Sequence, residues 1–78
     1  MASITLDHLL PGQRARITAL RTEPTVLQRL MEMGLLEGDE VEMLAVAPLG
    51  DPLEISLRDY RLSLRREDAS RIEVQPLP

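Results

Sequence analysis

Residues Leu53 to Leu64 read LEISLRDYRLSL, an alternation of apolar and polar side chains that breaks once, at Arg58-Asp59, and then resumes. A period of two places Leu53, Ile55 and Leu57 on one face of an extended segment and Glu54, Ser56 and Arg58 on the other. Tyr60, Leu62 and Leu64 repeat the pattern against Arg61, Ser63 and Arg65. Two such runs joined by a tight turn at Asp59 form a hairpin with one face to bury, and the rest of the chain has to cover that face.

There is little chain to do it with. A protein of 78 residues is a single domain, here taken as 1–78, and folding at this size buries roughly 60% of the unfolded surface. Phe and Trp are absent and Tyr60 is the one aromatic, so regularly spaced aliphatic residues must fill the core. In the opening SITLDHLLPG, Leu6, Leu9 and Leu10 have helix-like spacing, but Pro11-Gly12 stops it after about one turn, which predicts a short helical lid. From Gln13 to Leu20, Ala15, Ile17 and Ala19 alternate with Arg14, Arg16 and Thr18, a strand with one buried face.

The period then changes. In TEPTVLQRLMEMGL, Leu27, Leu30 and Met31 recur at i, i+3 and i+4 opposite Gln28, Arg29 and Glu32, predicting the one true helix. Thr25 and Gln28 have the form of a capping box, and Gly34 stands where a left-handed C-terminal cap belongs. Glu40 to Ala47 is strand-like with apolar residues on both parities: Val41, Met43 and Ala45 against Leu44 and Val46. A bend or bulge produces that pattern. In APLGDPL, Pro48, Gly50 and Pro52 make a rigid connection into the hairpin; REDAS is one helical turn; RIEVQP is a last strand stopped by Pro76 and Pro78. Five short strands with one inserted helix, best stabilised by closing on themselves, make a mainly β fold: a small SH3-like barrel.

The composition excludes most chemistries. Thirteen acids against nine basic residues, all arginine, with one aromatic, argue against nucleic acid as a partner. No cysteine is present, which removes disulfides, thiolate metal sites and thiol nucleophiles. No apolar run approaches the roughly 20 residues of a membrane span, and MASITLDHLLPG has no signal-peptide pattern, so a cytoplasmic location is expected. His8 is the lone histidine and reads as a structural or surface residue; Glu37, Asp39, Glu40 and Glu42 read as a solvated turn. Glu67-Asp68 are adjacent and do not face each other across a substrate, and no serine elbow or phosphate-binding glycine loop exists. The expectation is a binding module, not an enzyme, with no cofactor, no catalytic residue and no metal ligand. Met31 and Met43 read as core filler, whereas Met33 and Leu36 fall off the buried face.

The order of these signals resembles the FeoA family of bacterial ferrous iron transport. The resemblance lies in RLMEMGLLEGDEV, APLGDP and LSLRREDASRIEV, with LDHLLPGQRARITAL fitting the start, and it spans Leu6 to Val74. It departs at Asp59, where the family commonly has glycine. The resemblance implies an SH3-like barrel with an inserted helix and a regulatory role on FeoB, the membrane iron permease with a cytoplasmic GTP-binding domain. The expected partner is therefore the cytoplasmic region of FeoB. Met33 and Leu36 at the helix end, with Leu49 and Leu53 near the loop, are the expected contact residues. Two alternatives stand beside this reading. One is a free-standing metal- or ligand-sensing domain, related to the C-terminal domain of iron-dependent repressors and using His8 and surface carboxylates; the other is a self-associating barrel.

Overall fold

A computed structural model describes residues 3–78. Its elements in chain order are β1 (Ile4–Thr5), a 3₁₀ turn (Leu6–His8), β2 (Arg14–Leu20), α1 (Pro24–Glu32), β3 (Glu40–Val46), β4 (Leu53–Leu57), β5 (Tyr60–Leu64), α2 (Arg66–Ala69) and β6 (Ile72–Pro76). The six strands form one antiparallel sheet in the order β1-β6-β2-β3-β4-β5. This is the mainly β architecture expected, with one strand more than the periodicity predicted. The extra strand, β1, is only two residues long and exists through its pairing of Ile4 with Val74 and Thr5 with Glu73. The ladder does not close: β1 and β5 each have a single neighbour, so the edges are kept short instead of being eliminated.

The hairpin forms in the register that its alternation demands, with Leu57 opposite Tyr60 and Leu53 opposite Leu64. Leu53, Ile55 and Leu57 are fully buried. The one positive φ of the two-residue turn falls on Arg58 (54°), not on Asp59. Tyr60 is 41% exposed. At the hairpin end of β5 its ring leans on the end of α1, and its hydroxyl donates to the Met33 carbonyl at 3.0 Å.

Two bulges curve the sheet. Between Met43↔Ile55 and Ala45↔Glu54 one residue, Leu44, is extra in β3. The inward parity therefore moves from Val41 and Met43 to Val46, which packs on the core, and leaves Ala45 outside. Thr18 is the matching extra residue in β2, between Ile17↔Val74 and Ala19↔Glu73; its hydroxyl donates to the Glu73 carbonyl at 3.2 Å. Beyond it Leu20, not Ala19, packs on the core. A side-chain period of two flips at each inserted residue, which is why β3 reads as apolar on both faces.

The helix differs most from expectation. It begins two residues earlier, with Pro24 in its first turn and Glu23 instead of Thr25 as N-cap, and no side chain caps it. The Thr25-Gln28 capping box does not form, because a proline pre-set at φ near −65° starts the helix before Thr25. The buried side of α1 is Val26, Leu30 and Met33, not Leu27, Leu30 and Met31. The C-terminus ends as predicted on Gly34, at φ +96°. Gly34 N–H donates to the Met31 carbonyl at 2.9 Å and Leu35 N–H to the Leu30 carbonyl at 3.1 Å, and buried Leu35 packs back into the core with Leu30.

Candidate functional site

The connection from β3 to β4 is held from within and from outside. Gly50, at φ +88°, lets the chain reverse; its N–H donates to the Ala47 carbonyl at 2.7 Å, and Ala47 N–H donates to the Pro52 carbonyl at 3.1 Å. The Asp51–Pro52 peptide is cis. Arg66, in the first turn of α2, fastens the loop to the body. Its backbone N–H donates to Asp51 Oδ1 at 3.0 Å, its Nε to the Gly50 carbonyl at 2.6 Å and its Nη1 to the Asp7 carbonyl at 3.1 Å. One guanidinium thus joins the loop, α2 and the N-terminal turn, and leaves Leu49 at the tip 97% exposed. Charge-assisted donors of this kind contribute about 1.5–3 kcal/mol, less where half-exposed. Arg66→Ala is expected to lower stability by about 1–2 kcal/mol in urea unfolding and to speed hydrogen exchange at Gly50 and Ala47; unchanged exchange there would mean the loop holds itself.

The four expected contact residues do not form one exposed patch, since Leu53 is buried and Met33 packs on the core. Among the described residues Leu49 is the most exposed large apolar side chain, and Leu36 is 40% exposed. Met33 is half-buried against the core and contributes its carbonyl to Tyr60. Leu53 is a correction: it is fully buried, paired between Val46 and Leu64, and has no surface to offer a partner. Its parity with Ile55 and Leu57 directs it inward as soon as β4 begins.

The rotation of α1 creates a surface that the sequence reading missed. With Val26, Leu30 and Met33 facing the sheet, Pro24, Leu27 and Met31 line a shallow apolar depression on the outer side, flanked by Gln28 and Glu32. Met31, expected in the core, is 47% exposed. The signal that could have found this stripe is the i, i+4, i+7 spacing of Val26, Leu30 and Met33, as good a buried face as the one chosen.

The charged side chains of the open sheet face largely satisfy one another. Arg14 and Arg16 both donate to the Glu40 carboxylate at 2.9 Å, and Arg58 to Asp39 at 2.9 Å. The Arg16 hydrogen bond, with the charges of Arg16 and Arg14 beside it, holds the exposed Glu40 carboxyl below the usual carboxylate range. His8 is exposed, with Nδ1 2.9 Å from the Thr5 hydroxyl and 3.5 Å from Asp7 Oδ1. Among the described residues no group of three or more His, Cys, Asp or Glu is placed to hold a metal ion. No helix among them is long and apolar enough to cross a membrane.

Comparison with known proteins follows the same lines. The FeoA domain model matches residues 4–76. An Fe(2+) transport protein A/Fe(2+) transporter FeoB fusion protein of Porphyromonas gingivalis is 39% identical over 70 residues, which span 90% of this chain and 8% of that protein. The FeoA-like protein of Clostridium acetobutylicum, 32% identical, superposes with a TM-score of 0.92 over 100% of this chain and 91% of its own. FeoA of Stenotrophomonas maltophilia, solved with zinc and described as a procaryotic SH3 domain protein, is 32% identical with a TM-score of 0.74, over 92% of this chain and 89% of its own. A domain model matched almost end to end, on a fold that superposes on a solved FeoA-like protein, places this chain in the FeoA family.

Proposed function

We infer that this chain is a non-enzymatic cytoplasmic accessory of ferrous iron uptake that binds the cytoplasmic region of FeoB and alters its GTP-driven transport. The observation that carries the reading is the Porphyromonas gingivalis relative, in which a domain similar to this one is fused to the FeoB transporter. A tether of that kind keeps two modules at about millimolar effective concentration. Where no tether joins them, the same proximity has to come from a complementary surface, and this chain offers exposed apolar groups on rigid supports: Leu49 on the loop fastened by Arg66, and Leu36 just past the helix end. A rigid anchor costs little ordering entropy on docking.

The test is ferrous iron uptake. In cells lacking this chain, uptake of radiolabelled ferrous iron is expected to change, and the wild-type chain to restore it. Leu49→Glu is expected to fold normally, since the side chain touches solvent, yet to weaken co-purification with FeoB at least roughly tenfold. Uptake indifferent to deletion, together with no co-purification of the wild-type chain with FeoB, would sink the reading.

A further inference from the structure

We propose that the outer stripe of α1, namely Pro24, Leu27 and Met31, with Glu23 at its start, Glu32 beside it and Glu37 in the turn that follows the helix, is the seat of a short basic amphipathic helix belonging to the partner. This deepens the preceding reading and rests on it, since the partner is taken to be the cytoplasmic region of FeoB.

Three observations carry it. The stripe stands outside the core cluster: Val26, Leu30 and Met33 pack there, while Leu27 is half-buried and Pro24 and Met31 are exposed. Pro24, Leu27 and Met31 stand at i, i+3 and i+7, an apolar row of about 10 Å at the helical rise, which matches two turns of a facing helix. At the end of that row Met31, 47% exposed, supplies an unbranched thioether that adapts to a partner's side chains.

The charges choose the occupant. Glu23, Glu32 and Glu37 are exposed and form no ion pair among the described residues. The nearby cations are engaged elsewhere: Arg29 donates to Asp68 at 2.7 Å, Arg21 is paired with Glu73, and Arg58 with Asp39. Gln28 donates to Glu32 at 3.2 Å and leaves its charge uncompensated. A second copy of this chain fits badly, because antiparallel pairing of two such stripes sets Glu23 of each copy toward Glu32 of the other, between chains of net charge −4. An anionic membrane surface is repelled for the same reason. A helix with apolar residues on one side and Arg or Lys flanking them satisfies both the row and its border.

The experiment is a titration of the purified full chain against the cytoplasmic region of FeoB at low and high salt. Met31→Glu is expected to weaken binding at least roughly tenfold. The triple variant Glu23→Lys, Glu32→Lys, Glu37→Lys is expected to weaken it by about as much and to flatten its salt dependence, with circular dichroism and thermal midpoint close to wild type. Wild-type binding that both variants retain overturns the proposed seat while leaving the partnership intact. Binding lost with Leu49→Glu but kept with Met31→Glu overturns it in favour of the loop. Wild-type chain that does not bind overturns the partnership and this proposal together. A concentration-dependent dimer abolished by Met31→Glu overturns it in favour of self-association. Should Met31→Glu fail to fold, the triple variant decides alone.

Discussion

Leu53→Asp is expected to leave the chain largely unfolded in buffer, whereas Leu49→Glu, four residues earlier, is expected to unfold at the wild-type midpoint. Leu53 is fully buried between Val46 and Leu64, in a core that holds no polar or charged side chain among the described residues. Removing the leucine side chain costs about 2–5 kcal/mol, and a carboxylate left there without a donor adds several kcal/mol more, or titrates to its neutral form at similar cost. A domain of this size has a total of roughly 4–12 kcal/mol to lose, at about 0.05–0.15 kcal/mol per residue. Leu49, 97% exposed, gives up nothing that folding has gained. Circular dichroism of the two variants checks the contrast: a folded Leu53→Asp would mean that β4 can slip or open at its first residue.

Gly34→Ala is the second large effect, expected at about 2–3 kcal/mol of stability. Gly34 sits at φ +96°, where a Cβ costs about 1–2 kcal/mol. An added Cβ would also collide with the Tyr60 hydroxyl, with Leu57 behind at 3.7 Å. The Tyr60 ring is partly exposed and can swing away, but only by giving up its bond to the Met33 carbonyl, at the helix end where carbonyls lack helical partners. A double-mutant cycle in urea separates the two costs. Tyr60→Phe removes the colliding oxygen, so Gly34→Ala is expected to cost less in that background than alone. Equal costs in both backgrounds would assign the whole effect to backbone strain.

These two sites also show what can be read from the chain directly. The hairpin, the Gly34 cap, the single-turn α2 and the last strand are legible because each is specified locally, by a period of two, by a residue without Cβ or by proline. Leu53 was legible too: the alternation that makes β4 a strand already sends it inward with Ile55 and Leu57, and assigning it to a contact surface conflicts with that pattern. Other features are settled by distant partners. Ile4–Thr5 is a strand only because β6 lies beside it. The rotation of α1 was ambiguous because Leu30 belongs to two apolar rows, one continuing through Leu27 and Met31 and the other through Val26 and Met33; docking on the sheet selects the second. Thr25-x-x-Gln28 imitates a capping box, but Pro24 begins the helix ahead of it. The β3 bulge is signalled by apolar residues on both parities, and its position at Leu44 follows from pairing with β4, whereas the β2 bulge at Thr18 leaves no trace in the alternation of Ala15, Ile17 and Ala19.

The surface follows from the same division. Leu49 is exposed through a loop whose prolines and glycine are visible in sequence, but its fastening by Arg66, remote in the chain, is tertiary. The α1 stripe depends on which of two apolar rows faces the sheet, and it carries Met31, a residue whose spacing alone fits the core. Both surfaces present exposed apolar side chains, Leu49 on the fastened loop and Met31 on the helix, as a small domain requires if it works by docking.

The most direct measurement is the equilibrium binding of the wild-type chain to the purified cytoplasmic region of FeoB, followed by calorimetry with GTP hydrolysis read in the same samples. Saturable association that changes the hydrolysis rate, and weakens with Leu49→Glu, is the predicted result. No association at concentrations well above the micromolar range, with hydrolysis unaffected, would contradict it.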